Sequence, residues 1–221
     1  MINLVYSGKD ASKIKKDIQK ILQDLSALFM VDSHGVTIRI HENRLSFNRQ
    51  LNRETPDWLV ANASNNKEID ILSPDSMKNE SSHKSSEFLQ IIKHEISHLF
   101  VDEISKGSAV PKWLNEGLAS YIAKQYKNNI KSVYIDDKFS KKLATPKGWN
   151  DNLNYNAYDI SLYFVSYLIK KYTFKKILKL ISSLNKNYDY ISFKNIFYKI
   201  YLKDLEEVEI SFIQYINKSP Q

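Results

Sequence analysis

The segment from Phe88 to Val101 constrains the fold of this chain more than any other, because it predicts a buried helix that carries two histidines. It contains neither Gly nor Pro, and apolar residues cover most of its circumference, which is typical of a helix inside a core. His94 and His98 then lie one turn apart on the same face, with Glu95 beside them. Two imidazoles and a carboxylate in this arrangement are typical of a zinc site that has its own base.

A second predicted helix supplies a candidate for a third ligand. It begins at Pro111 and runs to Tyr121, and its Glu116 follows His98 by 18 residues. A catalytic zinc ion has three protein ligands and one open position, whereas a structural ion is enclosed by four. Because the chain has no cysteine, His, Asp and Glu are the strong zinc ligands that it can offer.

The two segments together resemble the gluzincin metallopeptidases, and most of all their small peptidase MA-like domains. The resemblance rests on the His-Glu-x-x-His motif of the first helix and on Trp-Leu-Asn-Glu-Gly-Leu-Ala at 113–119 in the second. It implies that His94, His98 and Glu116 bind one Zn²⁺ per chain, and that Glu95 activates the water at the fourth position. It further implies a zinc-dependent peptidase that acts on a peptide or protein substrate.

The same residues also allow other interpretations. His94 and His98 could be core histidines that protein groups satisfy, and Glu116 could be a capping or surface carboxylate. A chain with the complete site could also be a binding or regulatory module that keeps the zinc fold and hydrolyses nothing. The presence of Glu95 argues against such a module, because a site without catalysis has no need of the base.

The net charge of +7 raises the alternative of a basic protein that binds nucleic acid. Lysines are scattered among acidic residues without a long run, which is typical of solvated helix faces. We therefore expect no nucleic-acid partner. The first residues lack the pattern of a signal peptide, and the longest apolar stretch, Ile160 to Ile169, is half a membrane span. We expect a cytoplasmic protein with no membrane span, and a secreted mature form stays open.

Hydrophobic periodicity predicts an α+β fold. The predicted strands are 2–6, 36–41 and the two arms of a hairpin, 58–63 and 68–72, joined by a turn at Asn65-Asn66. Besides the two motif helices, the predicted helices are 11–30, 156–171, 174–184, 190–202 and 205–217. A strand is possible at 132–135, and Pro146 is expected to interrupt regular secondary structure.

We predict a single gluzincin-like peptidase domain over 1–221. A small mixed β-sheet lobe with helices, including the first zinc helix, would occupy 1–103, and a mainly α-helical lobe would occupy 104–221, with the zinc cleft between them. The serine-rich segment 73–86 is predicted to be a flexible loop. His83, which lies in it, is expected to be solvated.

The predicted hairpin bears on the kind of peptidase. In gluzincins the strand that lines the cleft binds an extended peptide by main-chain pairing, so residues 57–63 or 68–72 would be that strand. Zinc aminopeptidases have Gly-x-Met-Glu-Asn in this region, and its glutamate holds the free amine of the substrate. This chain has Ala61-Asn62-Ala63-Ser64 instead, which favours an endopeptidase.

One tyrosine is a candidate for stabilising the transition state. The segment from Tyr158 to Leu162, followed by Leu168 and Tyr172 at matching offsets, resembles the aminopeptidase segment whose tyrosine stabilises the tetrahedral intermediate. The resemblance implies that Tyr158 is the oxyanion donor. Tyr155, one turn earlier, stays open as the donor, as does a core or surface role for Tyr158.

Overall fold

A computed structural model describes residues 2–32, 35–64, 67–126, 138–153 and 156–218. The chain divides into two compact units, Met1–Phe100 and Val101–Gln221. The first contains a small mixed sheet with helices and the second is helical, so the predicted α+β fold is confirmed. That both units form one peptidase domain remains a prediction. Among the helices of the described ranges, none has the length and apolar character needed to cross a bilayer.

The sheet of the first unit has four strands: β1 (Ile2–Val5), β2 (Val36–His41), β3 (Ala61–Ser64) and β4 (Glu68–Leu72), in the order β1-β2-β4-β3. β2 pairs in parallel with β1 and with β4, whereas β3 pairs antiparallel with β4. Alternation fixes the register, because Val36, Ile38 and Ile40 are buried while the residues between them are partly exposed. β3 therefore forms one edge of the described sheet.

The predicted hairpin is present, with two differences. β4 has the predicted bounds, but β3 begins at Ala61 and not at Trp58, and it ends at Ser64 and not at Ala63. The chain before β3 is held by Arg44, whose guanidinium donates to the carbonyl oxygens of Pro56, Asp57 and Leu59. Backbone groups that bind this side chain are not available to a strand ladder. The turn at Asn65-Asn66 lies outside the described residues.

The helices of the first unit are α1 (Ala11–Phe29), α2 (Arg44–Leu51), α3 (Pro74–Glu80) and the beginning of α4 (Phe88–Ser105), which a 3₁₀ turn precedes at Ser85–Glu87. The prediction of a flexible loop over 73–86 was wrong, since α3 occupies half of it. Ser73 accepts a hydrogen bond from the backbone N–H of Ser76, and Pro74 stands at the first helical position. Ser and Pro are favoured at these two positions of a helix start.

The second unit contains α5 (Lys112–Ala123), α6 (Phe139–Lys142), α7 (Pro146–Asp151), α8 (Ala157–Tyr172), α9 (Phe174–Ser182), α10 (Tyr190–Tyr201) and α11 (Leu205–Lys218). Aromatic rings fill its core: the Phe164 ring centroid lies 5.1 Å from that of Trp113, 5.0 Å from that of Phe139 and 5.1 Å from that of Phe212. Pro146 begins α7 and does not break it, because the Thr145 side chain caps the helix. The possible strand at 132–135 lies outside the described residues.

Helices α5 and α8 pack closely at Gly117. A Cβ atom added at this residue would lie 2.7 Å from the carbonyl carbon of Ser161 and 2.8 Å from Cγ2 of Val165. Real Cβ atoms do not approach backbone this closely, so the glycine permits the contact between the two helices. Because Gly117 follows Glu116 directly, the contact also fixes where the candidate ligand stands.

We predict that Gly117→Ala destabilises the second unit by overpacking. The expected loss is about 1–3 kcal/mol in the free energy of unfolding, measured by urea denaturation. Gly107→Ala serves as the comparison, because Gly107 has φ +75° and nothing within 4 Å of its added Cβ, so that backbone strain of about 1 kcal/mol is its only cost. A Gly117→Ala variant as stable as the wild type would contradict the close approach of α5 and α8.

Candidate metal centre

Helix α4 places His94 and His98 against each other. Their Nε2 atoms are 3.1 Å apart, and the ring centroids are separated by 4.8 Å with the planes at 82°. His94 is buried and His98 is partly exposed. Two imidazoles bound to one tetrahedral zinc ion, with Zn–N bonds of 2.0–2.1 Å, would have their nitrogens about 3.3 Å apart. The histidine pair therefore already has the spacing of two ligands of one ion.

Helix α5 supplies the third member of the group. One ligand atom from each of His94, His98 and Glu116 can be chosen such that all lie within 4.8 Å of one another. Glu116 is 5% exposed, and a carboxylate this deeply buried is retained when it is paired with a cation or bound to a metal. Nitrogen and oxygen donors in this number fit zinc with one position open.

The beginning of α5 is fixed by hydrogen bonds from its first residues. The backbone N–H of Lys112 donates to the carbonyl oxygen of Ala144 at 2.8 Å, and that of Trp113 donates to the carbonyl oxygen of Leu143 at 3.0 Å. These bonds satisfy two of the N–H groups that every helix leaves open at its start. Trp113 and Leu114 are fully buried, so the turn that precedes Glu116 is anchored on both counts.

A lysine contacts the candidate ligand directly. Lys112 Nζ donates to Oε1 of Glu116 at 2.6 Å, and its ammonium lies 6.0 Å from the centroid of the Trp149 ring. That ring is in T-shaped contact with the ring of Tyr158, with centroids 4.9 Å apart and planes at 84°. Sequence reasoning missed Lys112 and Trp149. The separation of four residues between Lys112 and Glu116 is a signal that could have indicated the ion pair.

The remaining predicted residues are placed as follows. Glu95 is partly exposed on α4 beside the histidines. Tyr158 is in the first turn of α8 and 38% exposed, so a buried core role does not apply to it. Tyr155, the alternative donor, lies outside the described residues. The roles of these residues remain predictions.

His83 is held by two acceptors, although a solvated position was expected. Its Nδ1 is 2.8 Å from Oε2 of Glu87, and its Nε2 is 3.1 Å from the carbonyl oxygen of Trp58. A carboxylate and a carbonyl can only accept, so both contacts are hydrogen bonds when both ring nitrogens carry protons. The His83 ring thereby joins the segment before β3 to the 3₁₀ turn that precedes α4.

A family model described as the Peptidase MA superfamily matches residues 60–218, which is more than half of the chain. The chain belongs to the Peptidase MA superfamily. The match includes the helices that carry His94, His98 and Glu116 as well as strands β3 and β4. No curated protein matches the sequence. Membership of this superfamily confirms the prediction that the chain is a peptidase.

The contact between His83 and Glu87 predicts an acid-sensitive contribution to stability in this member of the superfamily. Burial raises the pKa of Glu87, but the hydrogen bonds from His83 and from the Lys84 backbone outweigh it and hold the pKa below the usual 4.5. A depressed folded-state pKa gives stability that is complete above the unfolded-state pKa and is lost as the pH falls through the folded-state value. The wild type should therefore exceed Glu87→Gln in Tm at pH 6, and this advantage should fade below about pH 4.5.

Thermal unfolding of both variants from pH 7 to pH 2.5 tests this expectation. An advantage of the wild type that stayed constant down to pH 2.5 would contradict the role assigned to the carboxylate.

Proposed function

We propose that this chain is a gluzincin-type zinc endopeptidase. The observation that carries the proposal is the convergence of His94, His98 and Glu116, whose ligand atoms lie within 4.8 Å of one another. Two imidazoles and one carboxylate form a ligand set of catalytic zinc sites in peptidases. Membership of the Peptidase MA superfamily supports the same function.

The three ligands would hold one zinc ion, and the protein would supply the proton transfers. When bound, zinc provides a Lewis acid that polarises the scissile carbonyl and lowers the pKa of water to about 7. Glu95 stands next to His94 on α4 without belonging to the ligand group. Its carboxylate would take a proton from the attacking water and deliver it to the nitrogen of the leaving amine.

Tyr158 would stabilise the negative charge that develops on the substrate carbonyl. Its phenol would donate a hydrogen bond to that oxygen, and such donors act mainly in the transition state. Two contacts support this assignment: Trp149 packs against the Tyr158 ring, and the same Trp149 lies beside the ammonium of Lys112, which holds Glu116. The tyrosine ring is thereby held by a chain of contacts that ends at a candidate ligand.

The edge of the sheet supports an endopeptidase. β4 is paired on both sides, so β3 is the arm of the hairpin whose outer edge could pair with an extended peptide. β3 contains no carboxylate, and opposite it Glu68 and Asp70 are bound by Arg39 and His41. In the described hairpin, therefore, no uncommitted carboxylate would hold the free amine of a substrate.

The metal content and the role of Glu95 are tested together. We expect about one zinc per chain by mass spectrometry of the native protein, lost in Glu116→Ala. Glu95→Gln should keep its zinc and its fold but cleave a peptide library about 10²- to 10⁴-fold more slowly, because the general base is removed. Zinc uptake without cleavage by the wild type would instead favour a binding module that keeps the zinc fold, and a protein without zinc would contradict the proposal.

The oxyanion donor has a separate test. Tyr158→Phe should reduce kcat by about 10²- to 10³-fold with little change in KM, because the hydrogen bond forms in the transition state. Tyr172→Phe, at the other end of α8, is the matched control and should keep wild-type kinetics. If Tyr155→Phe shows the loss and Tyr158→Phe does not, the donor is Tyr155.

A further inference from the structure

Lys112 occupies a position that helix energetics does not favour. It is the first residue of α5, where the helix dipole disfavours a positive charge. A lysine that precedes a glutamate by four residues is also the weaker of the two orders of such a pair on an isolated helix. The local sequence therefore gives no reason for a cation here. The reason has to come from what the ammonium contacts.

The ammonium contacts the most buried member of the candidate metal centre. Lys112 Nζ is 2.6 Å from Oε1 of Glu116, and the two side chains are 36% and 6% exposed. The Lys112 backbone is held by Ala144, and the Trp149 ring lies beside the charge. Trp149 is 2% exposed. A pair set in this surrounding is screened by salt far less than one on the surface.

We propose that Lys112 is an internal cation that competes with the metal ion for Glu116. The inference rests on the proposed zinc site and adds to it a residue outside the ligand group. In the metal-free protein Lys112 compensates the buried carboxylate. When a divalent ion binds, the lysine must either leave the carboxylate or share it.

Both outcomes oppose metal binding. If Lys112 leaves, the ion pair is lost. If it stays, a carboxylate with two oxygens can serve both cations, but the ammonium and the metal ion then lie within a few Å of each other and repel. Lys112 is thus expected to weaken metal affinity and to stabilise the metal-free fold. The protein would then bind zinc only where the concentration of free zinc is high enough. Its fold would persist when the metal is absent.

The test of this proposal is the zinc dissociation constant of Lys112→Met. It is measured by competition with a chromophoric chelator. Methionine keeps an unbranched side chain that is one atom shorter, and it removes the charge. We expect it to bind zinc about tenfold more tightly than the wild type, and its metal-free form, kept in chelator, to have a lower Tm. Lys112→Arg should resemble the wild type in both measurements, because it keeps the charge and the donor.

Two controls separate this effect from a general change of charge. Lys147→Met removes one lysine of an exposed ion pair with Asp151, also four residues apart, and should leave the zinc affinity unchanged. In a Glu116→Gln background, Lys112→Met should no longer lower the Tm of the metal-free protein, because the carboxylate that the lysine compensates is gone.

The outcomes distinguish this inference from the proposed function. A wild-type protein that takes up no zinc contradicts the proposed function. Zinc uptake by the wild type with equal or weaker binding by Lys112→Met overturns the inference about Lys112 alone, and weaker binding would make the lysine a positioning residue for Glu116.

Discussion

The carboxylate of Glu116 sets a requirement that the helices around it satisfy. A buried anion without a partner would cost several kcal/mol, and Glu116 is almost completely enclosed. Lys112 meets the requirement from the same helix, and the His94–His98 pair stands where a metal ion could meet it more strongly. Two further features act on this carboxylate. Hydrogen bonds to the segment 143–144 fix the start of α5, and the ring of Trp149 lies beside the ammonium that pairs with Glu116.

The sheet of the first unit satisfies its polar groups in a different way. Arg39 forms a two-pronged ion pair with Glu68, which lowers the pKa of that carboxyl, and His41 binds Asp70. These pairs link β2 to β4 on the face opposite the apolar residues of β2. The first is a cross-strand contact of opposite charge and the second a cross-strand hydrogen bond, and both favour one register over its neighbours. The acidic residues of the hairpin are thereby structural, and β3 keeps a neutral edge.

Much of the fold followed from periodicity in the sequence. The alternation over 36–41 and 68–72 gave strands with the observed bounds, and the apolar spacing over 11–30 and in the last third of the chain gave helices within a few residues of theirs. Local sequence patterns gave wrong predictions where a helix cap or a residue distant in sequence determines the structure. Ser73 and Pro74 were interpreted as loop residues, although together they begin a helix. Arg44 holds the chain before β3 through carbonyl groups, which leave no mark in the sequence.

In the candidate site, too, local motifs were predictable from the sequence and contacts between distant segments were not. His94, His98 and Glu116 lie on helices whose motifs fix their spacing, so the sequence was sufficient to propose them. The ion pair of Lys112 could have been proposed from its spacing to Glu116, but the ring of Trp149 comes from a helix more than thirty residues away. The bonds of His83 likewise join segments that only the folded chain brings together.

The absence of a side chain at Gly117 has a consequence for motion. With the backbone of Ser161 against it, α5 has no room to slide or rotate on α8 without a collision. We therefore expect the two helices to move as one rigid block that carries Glu116 and Tyr158 together. Any opening that admits a substrate must then take place in other parts of the molecule, and the distance between these two side chains would stay constant through a catalytic cycle.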